Sequence, residues 1–147
     1  MRRGRLIALD GVDGAALRAA AKATAAGENQ HARAGVSHWD ASGIFEELSA
    51  SESGVVTPRV LLLLYAADLA FRLRWEIAPA VEQGRTVVAA PYVQTAIAFG
   101  RAVGLPSAWL ANLFRFAPQP TERRVIETRG KVRTRDGFVG VAAARWG

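Results

Sequence analysis

Arg5-Leu6-Ile7-Ala8-Leu9-Asp10-Gly11-Val12-Asp13-Gly14-Ala15-Ala16-Leu17-Arg18 is the stretch that decides how the rest of this chain is read. Leu6 to Leu9 is an apolar run short enough to be a buried strand. Gly11 and Gly14 turn the chain, and Leu17-Arg18-Ala19-Ala20-Ala21-Lys22-Ala23 follows with high helix propensity. Strand, glycine turn and helix make the frame of a phosphate-binding loop, in which backbone N–H groups and a helix N-terminus hold an anion. The working groups of such a loop are missing. A P-loop ends in Gly-Lys-Ser/Thr, the lysine reaching the β/γ-phosphates and the hydroxyl holding Mg²⁺. Here Ala16-Leu17-Arg18 occupies those places.

Outward from that stretch, the first helix is expected from about Ala15 to Ala26, closed by Gly27. A short strand is expected near Ala34-Gly35-Val36-Ser37, then a short helix over Ile44 to Leu48 capped by Ser42 or Asp40. Thr57-Pro58 opens a long helix, with Pro58 at N1, that runs from Arg59 to about Ala78 and is broken by Pro79 and Gly84. Its apolar residues occupy nearly every face, and a helix apolar all round must be covered on most sides. A homodimer, or a heterodimer with a related chain, is therefore expected, with Leu62, Ala66, Leu69, Leu73 or their neighbours on that helix as interface candidates, since the pattern has no polar side to orient the stripe. Arg85 to Ala90 reads as a buried strand, and Val93 to Val103 and Ala108 to Phe116 as helices, the second capped by Ser107. Val125 to Thr128, Val132 to Thr134 and Phe138 to Ala142 read as strands, either ending a parallel sheet or added to its edge as a hairpin.

Composition narrows the class. The 147 residues suit one domain, half of them are hydrophobic, and no cysteine is present, which removes disulfides and thiolate metal sites. The apolar run at the N-terminus is too short for a signal peptide, and Val60 to Phe71 carries Asp68 and falls short of a membrane span, so a cytoplasmic protein without membrane contact is expected. The net charge of +6 is uneven, with Arg2, Arg3 and Arg5 at one end and Arg123, Arg124, Arg129, Lys131, Arg133 and Arg135 at the other. That charge is either ordinary solvated arginine surface or a nucleic-acid contact through the basic ends. His31 and His38 sit in one polar segment without ligand spacing, so no metal site is expected.

The opening stretch resembles that of bacterial thymidylate kinases, a strand followed by (E/D)G-hydrophobic-DG-A-GK(S/T). The resemblance continues in register. Leu61-Leu62-Leu63-Leu64-Tyr65-Ala66-Ala67-Asp68-Leu69-Ala70 is similar to the family's LLLFAADRA helix. Val87 to Val93 falls where the family has a strand followed by DRYV, and Trp109 to Pro118 resembles WLLxLNRFAP. The resemblance covers roughly Arg5 to Pro118. It implies an α/β fold of the P-loop NTPase type, a three-layer sandwich with a mainly parallel sheet, truncated after its core and without the arginine-rich lid. One domain over 1–147 is expected, with a family-like core over 1–120 and a basic, β-rich segment over 121–147. The resemblance also agrees with a homodimer, since family members pair through helices of this region.

The departures from the family pattern decide the expected function. Gly11, Asp13, Gly14, Ala15, Ala16, Leu17 and Arg18 form a degenerate phosphate loop in which Leu17 replaces the lysine. Ala90 and Pro91 replace the Asp and Arg of DRY, and Leu69 replaces the arginine that helps hold the nucleotide substrate. Losing one transition-state donor costs about 10²–10³ in rate and losing an arginine finger about 10³–10⁵. No catalytic residue and no cofactor is therefore assigned, and a pseudokinase acting through protein–protein contact is expected. The alternative is a nucleotide binder with residual dTMP kinase activity, in which Arg18 or Arg72 substitutes for the lost cations. Tyr65, Tyr92 and Phe99 match the family's aromatics, Tyr65 standing where a phenylalanine stacks on thymine. With Arg72 they form the possible nucleoside site, unless the rings simply pack the core.

Overall fold

The computed structural model describes residues 3–29, 33–45, 47 and 57–127. Its elements in chain order are β1 (Leu6–Asp10), α1 (Gly14–Glu28), β2 (Ala34–His38), α2 (Pro58–Arg72), a π-helical turn (Leu73–Ile77), α3 (Ala78–Glu82), β3 (Thr86–Ala90), α4 (Gln94–Ala102), α5 (Ser107–Leu113) and β4 (Glu122–Val125). The four strands form one sheet in the order β2-β3-β1-β4, and every pairing is parallel.

β1 and β3 occupy the centre, and all five residues of each are buried. Parallel strands covered on both faces need apolar residues at every position, which is what LIAL and TVVAA supply. Alternate side chains then serve opposite layers. Ile7, Leu9, Val88 and Ala90 meet Leu17, Ala21 and Ala25 of α1 on one face. Leu6, Ala8, Val87 and Ala89 meet Leu61, Leu62, Tyr65, Leu69 and Leu110 on the other. The result is a three-layer α/β sandwich of the P-loop NTPase type. The outer strands β2 and β4 are only partly covered, as their lower apolar content requires.

The long helix departs from its expected form in two ways. It does not stop before Pro79. Ala78 donates its N–H to the carbonyl of Leu73, five residues back, so the chain makes a π-type turn and resumes as α3. Pro79 then lies in the first turn of α3, where a missing N–H costs little. Nor is α2 buried all round. Leu61, Leu62, Tyr65, Ala66, Asp68, Leu69 and Arg72 are buried, whereas Val60, Leu63, Phe71 and Trp75 are exposed. Leu62, Ala66 and Leu69 therefore face the interior of their own chain, and Leu73 packs partly against the same core, so these four do not form an outer surface. The apolar residues turned outward are the neighbouring stripe.

Smaller corrections have local causes. Gly27 lies inside α1, and Asn29 ends the helix while its Oδ1 accepts from the N–H of Ala34 at 2.7 Å. Ser107 is the first residue of α5 rather than its cap, which is Pro106. The last parallel strand begins three residues earlier than expected, because Glu122 to Val125 pairs with Ile7 to Asp10. The expected strands over Val132–Thr134 and Phe138–Ala142 lie outside the described residues.

Candidate functional site

In a sheet of order β2-β3-β1-β4, the crevice outside the strand ends at the β1/β3 switch point is where ligands bind in open α/β folds. Asp10 ends β1 and Ala90 ends β3, so both reach this edge, and Pro91 follows through a cis peptide.

Only Gly11, Val12 and Asp13 connect β1 to α1, because the helix already begins at Gly14. Ala15, Ala16 and Leu17, which a P-loop would leave in its cradle or at the cradle's edge, belong to the helix. Asp13 is the N-cap, and its Oδ1 accepts from the N–H groups of Ala15 at 3.0 Å and Ala16 at 3.2 Å. The first-turn donors that would meet a phosphate are thus taken by the chain's own carboxylate. Leu17 is 4% exposed and packs against the sheet with Ile7, Leu9 and Val88. The position at which the resemblance expects a lysine therefore faces the core. Gly11 is needed for close approach, since a Cβ there would lie 2.8 Å from the carbonyl oxygen of Ile126. Neither Gly11 nor Gly14 has a positive φ. Arg18 is on the exposed side of α1, and with His38, Trp39 and Pro91 it lines a small cleft of about 80 Å³.

The crevice itself is bridged. Asp10 Oδ1 accepts from the backbone N–H of Tyr92 at 2.9 Å, the N–H of Thr95 at 3.0 Å and the hydroxyl of Thr95 at 2.8 Å. The Thr95 hydroxyl in turn accepts from the N–H of Gly11 at 3.1 Å. This network ties the end of β1 to the start of α4 across the switch point.

Arg72 is fully buried. Its Nε donates to Ser37 Oγ at 2.9 Å, and Nη2 donates to the carbonyls of Ser37 at 2.8 Å and Pro91 at 2.7 Å. Ser37 Oγ donates to Glu76 Oε1 at 2.7 Å, bringing a counter-charge within reach, while Arg72 Nη1 has no partner among the described residues. Asp68, also fully buried, accepts from the N–H of Asp40 at 2.7 Å, the N–H of Ser42 at 2.9 Å and the hydroxyl of Ser42 at 2.7 Å. One face of α2 thus carries a cation that ties β2 to β3 and an anion that holds the turn after β2.

The expected nucleoside residues differ in their settings among the described residues. Tyr65 is fully buried, donates its hydroxyl to the carbonyl of Tyr92 and meets the Phe114 ring edge-on at 6.0 Å. Tyr92 donates its hydroxyl to the carbonyl of Pro118 at 2.6 Å, and Phe99 packs against the core. Burial raises the Tyr65 phenol well above its usual value and pushes Tyr92 up to about 12. The His38 pKa is lowered from 6.5 by partial burial and by the positive charges of Arg72 and Arg18, with Glu76 opposing. No group of three or more His, Cys, Asp or Glu side chains suited to a metal ion occurs among the described residues. No helix there is long and apolar enough to cross a membrane.

Sequence reasoning missed Asp10, Thr95, Ser37 and Asp68, and it read Arg72 as a possible ligand group. A signal was available. Leu61, Tyr65, Asp68 and Arg72 share helical spacing of four, three and four, which places two charges on the most apolar face of α2. Charges there must be paired internally.

No protein-family model matches the chain. Curated relatives are all partial matches. A probable thymidylate kinase of Pyrococcus abyssi is 40% identical over 58 residues, 40% of this chain and 28% of that protein. Another, from Caldivirga maquilingensis, is 30% identical over 53% of this chain and 38% of its own length. A third, from Pyrococcus horikoshii, is 28% identical over 80% of this chain and 62% of its own length. The chain thus spans less than two thirds of the curated relatives it matches. The crystal structure of thymidylate kinase from Ehrlichia chaffeensis superposes with a TM-score of 0.71 at 14% identity, covering 85% of this chain and 72% of that one.

Proposed function

We propose that this thymidylate kinase-like chain is a pseudokinase that does not transfer phosphate and acts through contact with a second copy of itself. The observation that carries the first half is the state of the α1 N-terminus. Asp13 occupies the N–H groups of Ala15 and Ala16, and Leu17 is turned into the core. A phosphate seated there would displace one carboxylate without meeting a lysine. Arg72, the cation best placed to replace the lost arginine, is held by Ser37 and Pro91. Residual dTMP kinase activity is not favoured.

The second half rests on the exposed stripe Val60, Leu63 and Phe71 along α2, continued by Trp75 in the π-type turn. Spacings of three and four place these apolar side chains along one ridge, with exposed Ala67 between them. A two-fold pairing would set the stripe against its own copy.

Thermal unfolding with ATP, dTMP and dTDP, each with Mg²⁺, tests the loss of nucleotide function. A saturating ligand stabilises by RT ln(1 + [L]/Kd), about 3–4 kcal/mol at 100–1,000 Kd, and no such shift is expected. A Mg²⁺-dependent shift of that size would overturn the reading. Light scattering tests the contact: wild type should have twice the 15.7 kDa chain mass, and Leu63→Glu with Phe71→Glu should halve it. A monomeric wild type contradicts self-association, and a stable complex with a related chain instead would replace the second copy by that chain.

A further inference from the structure

A cavity of about 350 Å³ lies between the β1–β4 half of the sheet and helices α4 and α5, on the side of the sheet opposite α1. We propose that it binds a small planar aromatic acid carrying an N–H donor at the end opposite its anionic group. None of the residues from Gly11 to Arg18 lines it, so it is separate from the α1 N-terminus where a P-loop would hold phosphate.

The chemistry follows from the walls. Asp10 lines the cavity and is only 6% exposed. Its Oδ1 accepts the three bonds from Tyr92 and Thr95 that fix the carboxylate's orientation, whereas Oδ2 accepts none among the described residues. With Oδ1 occupied, Oδ2 is the acceptor that Asp10 has left for an incoming N–H at the cavity wall. Ile97 and Phe114 provide apolar surface for a flat ring. Arg115 and Arg123 line the same cavity and are exposed. Arg115 donates to Asn112 Oδ1 at 2.8 Å and Arg123 to Gln119 Oε1, both neutral oxygens. Neither arginine pairs with a carboxylate among the described residues, so two uncompensated cations face a ligand that reaches the sheet. A volume of this size sits at the small end of the range for organic ligands.

The test is a titration of the ¹⁵N-labelled full chain with 4-aminobenzoate and 4-aminophenyl phosphate, followed by amide chemical shifts. Benzoate lacks the donor and 4-aminobenzyl alcohol lacks the anion. Saturable shifts are expected at the amides of Tyr92 and Thr95, which donate to Asp10, with Kd of about 1 mM or tighter for at least one amino acid probe. The tighter of the two identifies the head group as carboxylate or phosphate. Benzoate and the alcohol should bind several-fold more weakly, and Arg115→Gln with Arg123→Gln should weaken both acids about tenfold. Both arginines are exposed, so the double variant is expected to fold, and its amide spectrum checks this. Absence of saturable shifts at Tyr92 and Thr95 up to about 10 mM overturns the proposal. So does equal binding of the alcohol, or undiminished binding to the folded double variant.

Discussion

A lysine placed at position 17 should harm this protein. Leu17 stands at the lysine position but is 4% exposed, packed with Ile7, Leu9, Ala21 and Val88. Removing a buried leucine forfeits about 1.5–3 kcal/mol of apolar burial. A lysine there would recover part of that by laying its methylenes along the sheet and extending its ammonium towards solvent. Its charge would sit in the first turns of α1, where a cation is unfavourable by about 0.3–1 kcal/mol. Asp13, four residues earlier, returns about 0.2–0.5 kcal/mol as a helical neighbour. Leu17→Lys is therefore expected to lose about 2–3 kcal/mol. With a urea slope of about 1–3 kcal/mol per M, the midpoint should fall by about 0.7–3 M. The assay is urea unfolding followed by tryptophan fluorescence, on wild type, Leu17→Lys and Leu17→Lys with Arg18→Ser. The double variant carries the lysine and hydroxyl of a P-loop and should still bind no Mg²⁺-ATP. An unchanged midpoint, or Mg²⁺-dependent ATP binding by the double variant, would refute the burial of this position.

Two further outcomes follow from titrating groups. The chain has two tyrosines, Tyr65 and Tyr92, both buried with raised pKa values, Tyr92 near 12. Phenolate absorbance should therefore be absent from the native protein at pH 10.5 and appear on unfolding at that pH; a half-ionised native spectrum would contradict their burial. His38 is disfavoured as a cation in the fold, so the unfolded chain binds its proton more readily. Its contribution is fully present above the unfolded value of 6.5 and is lost as pH falls through the lower folded value. His38→Gln should flatten the stability profile across that interval, and an unchanged slope would remove His38 from the account.

The core of the fold was legible because its signals are local and redundant. Leu6 to Leu9 and Val87 to Ala90 are uninterrupted apolar runs that central parallel strands bury. The orientation of α2 was not legible. Val60 to Leu64 is apolar at every position, so hydrophobicity alone gives no polar side to turn outward. The charges settle it: Asp68 and Arg72 have internal partners at β2, β3 and the turn after β2, and those partners fix which face points in. Leu17 was visible where the resemblance expects a lysine, but its burial depends on α1 starting as early as Gly14. That start is set by Asp13 as N-cap, a role that its place before the alanine-rich run allows but does not fix. The network of Asp10 with Tyr92 and Thr95 joins residues more than eighty positions apart, which no local pattern reports.

The most direct measurement is phosphoryl transfer itself. The full chain, at high micromolar concentration, is incubated with γ-³²P-ATP, Mg²⁺ and dTMP, and labelled dTDP is counted against a buffer control. With the α1 donors taken by Asp13, Leu17 in the core and Arg72 bound to Ser37 and Pro91, label should not pass to dTMP above background. Turnover that requires Mg²⁺ and disappears in Arg18→Ala would contradict the account and make Arg18 the working cation.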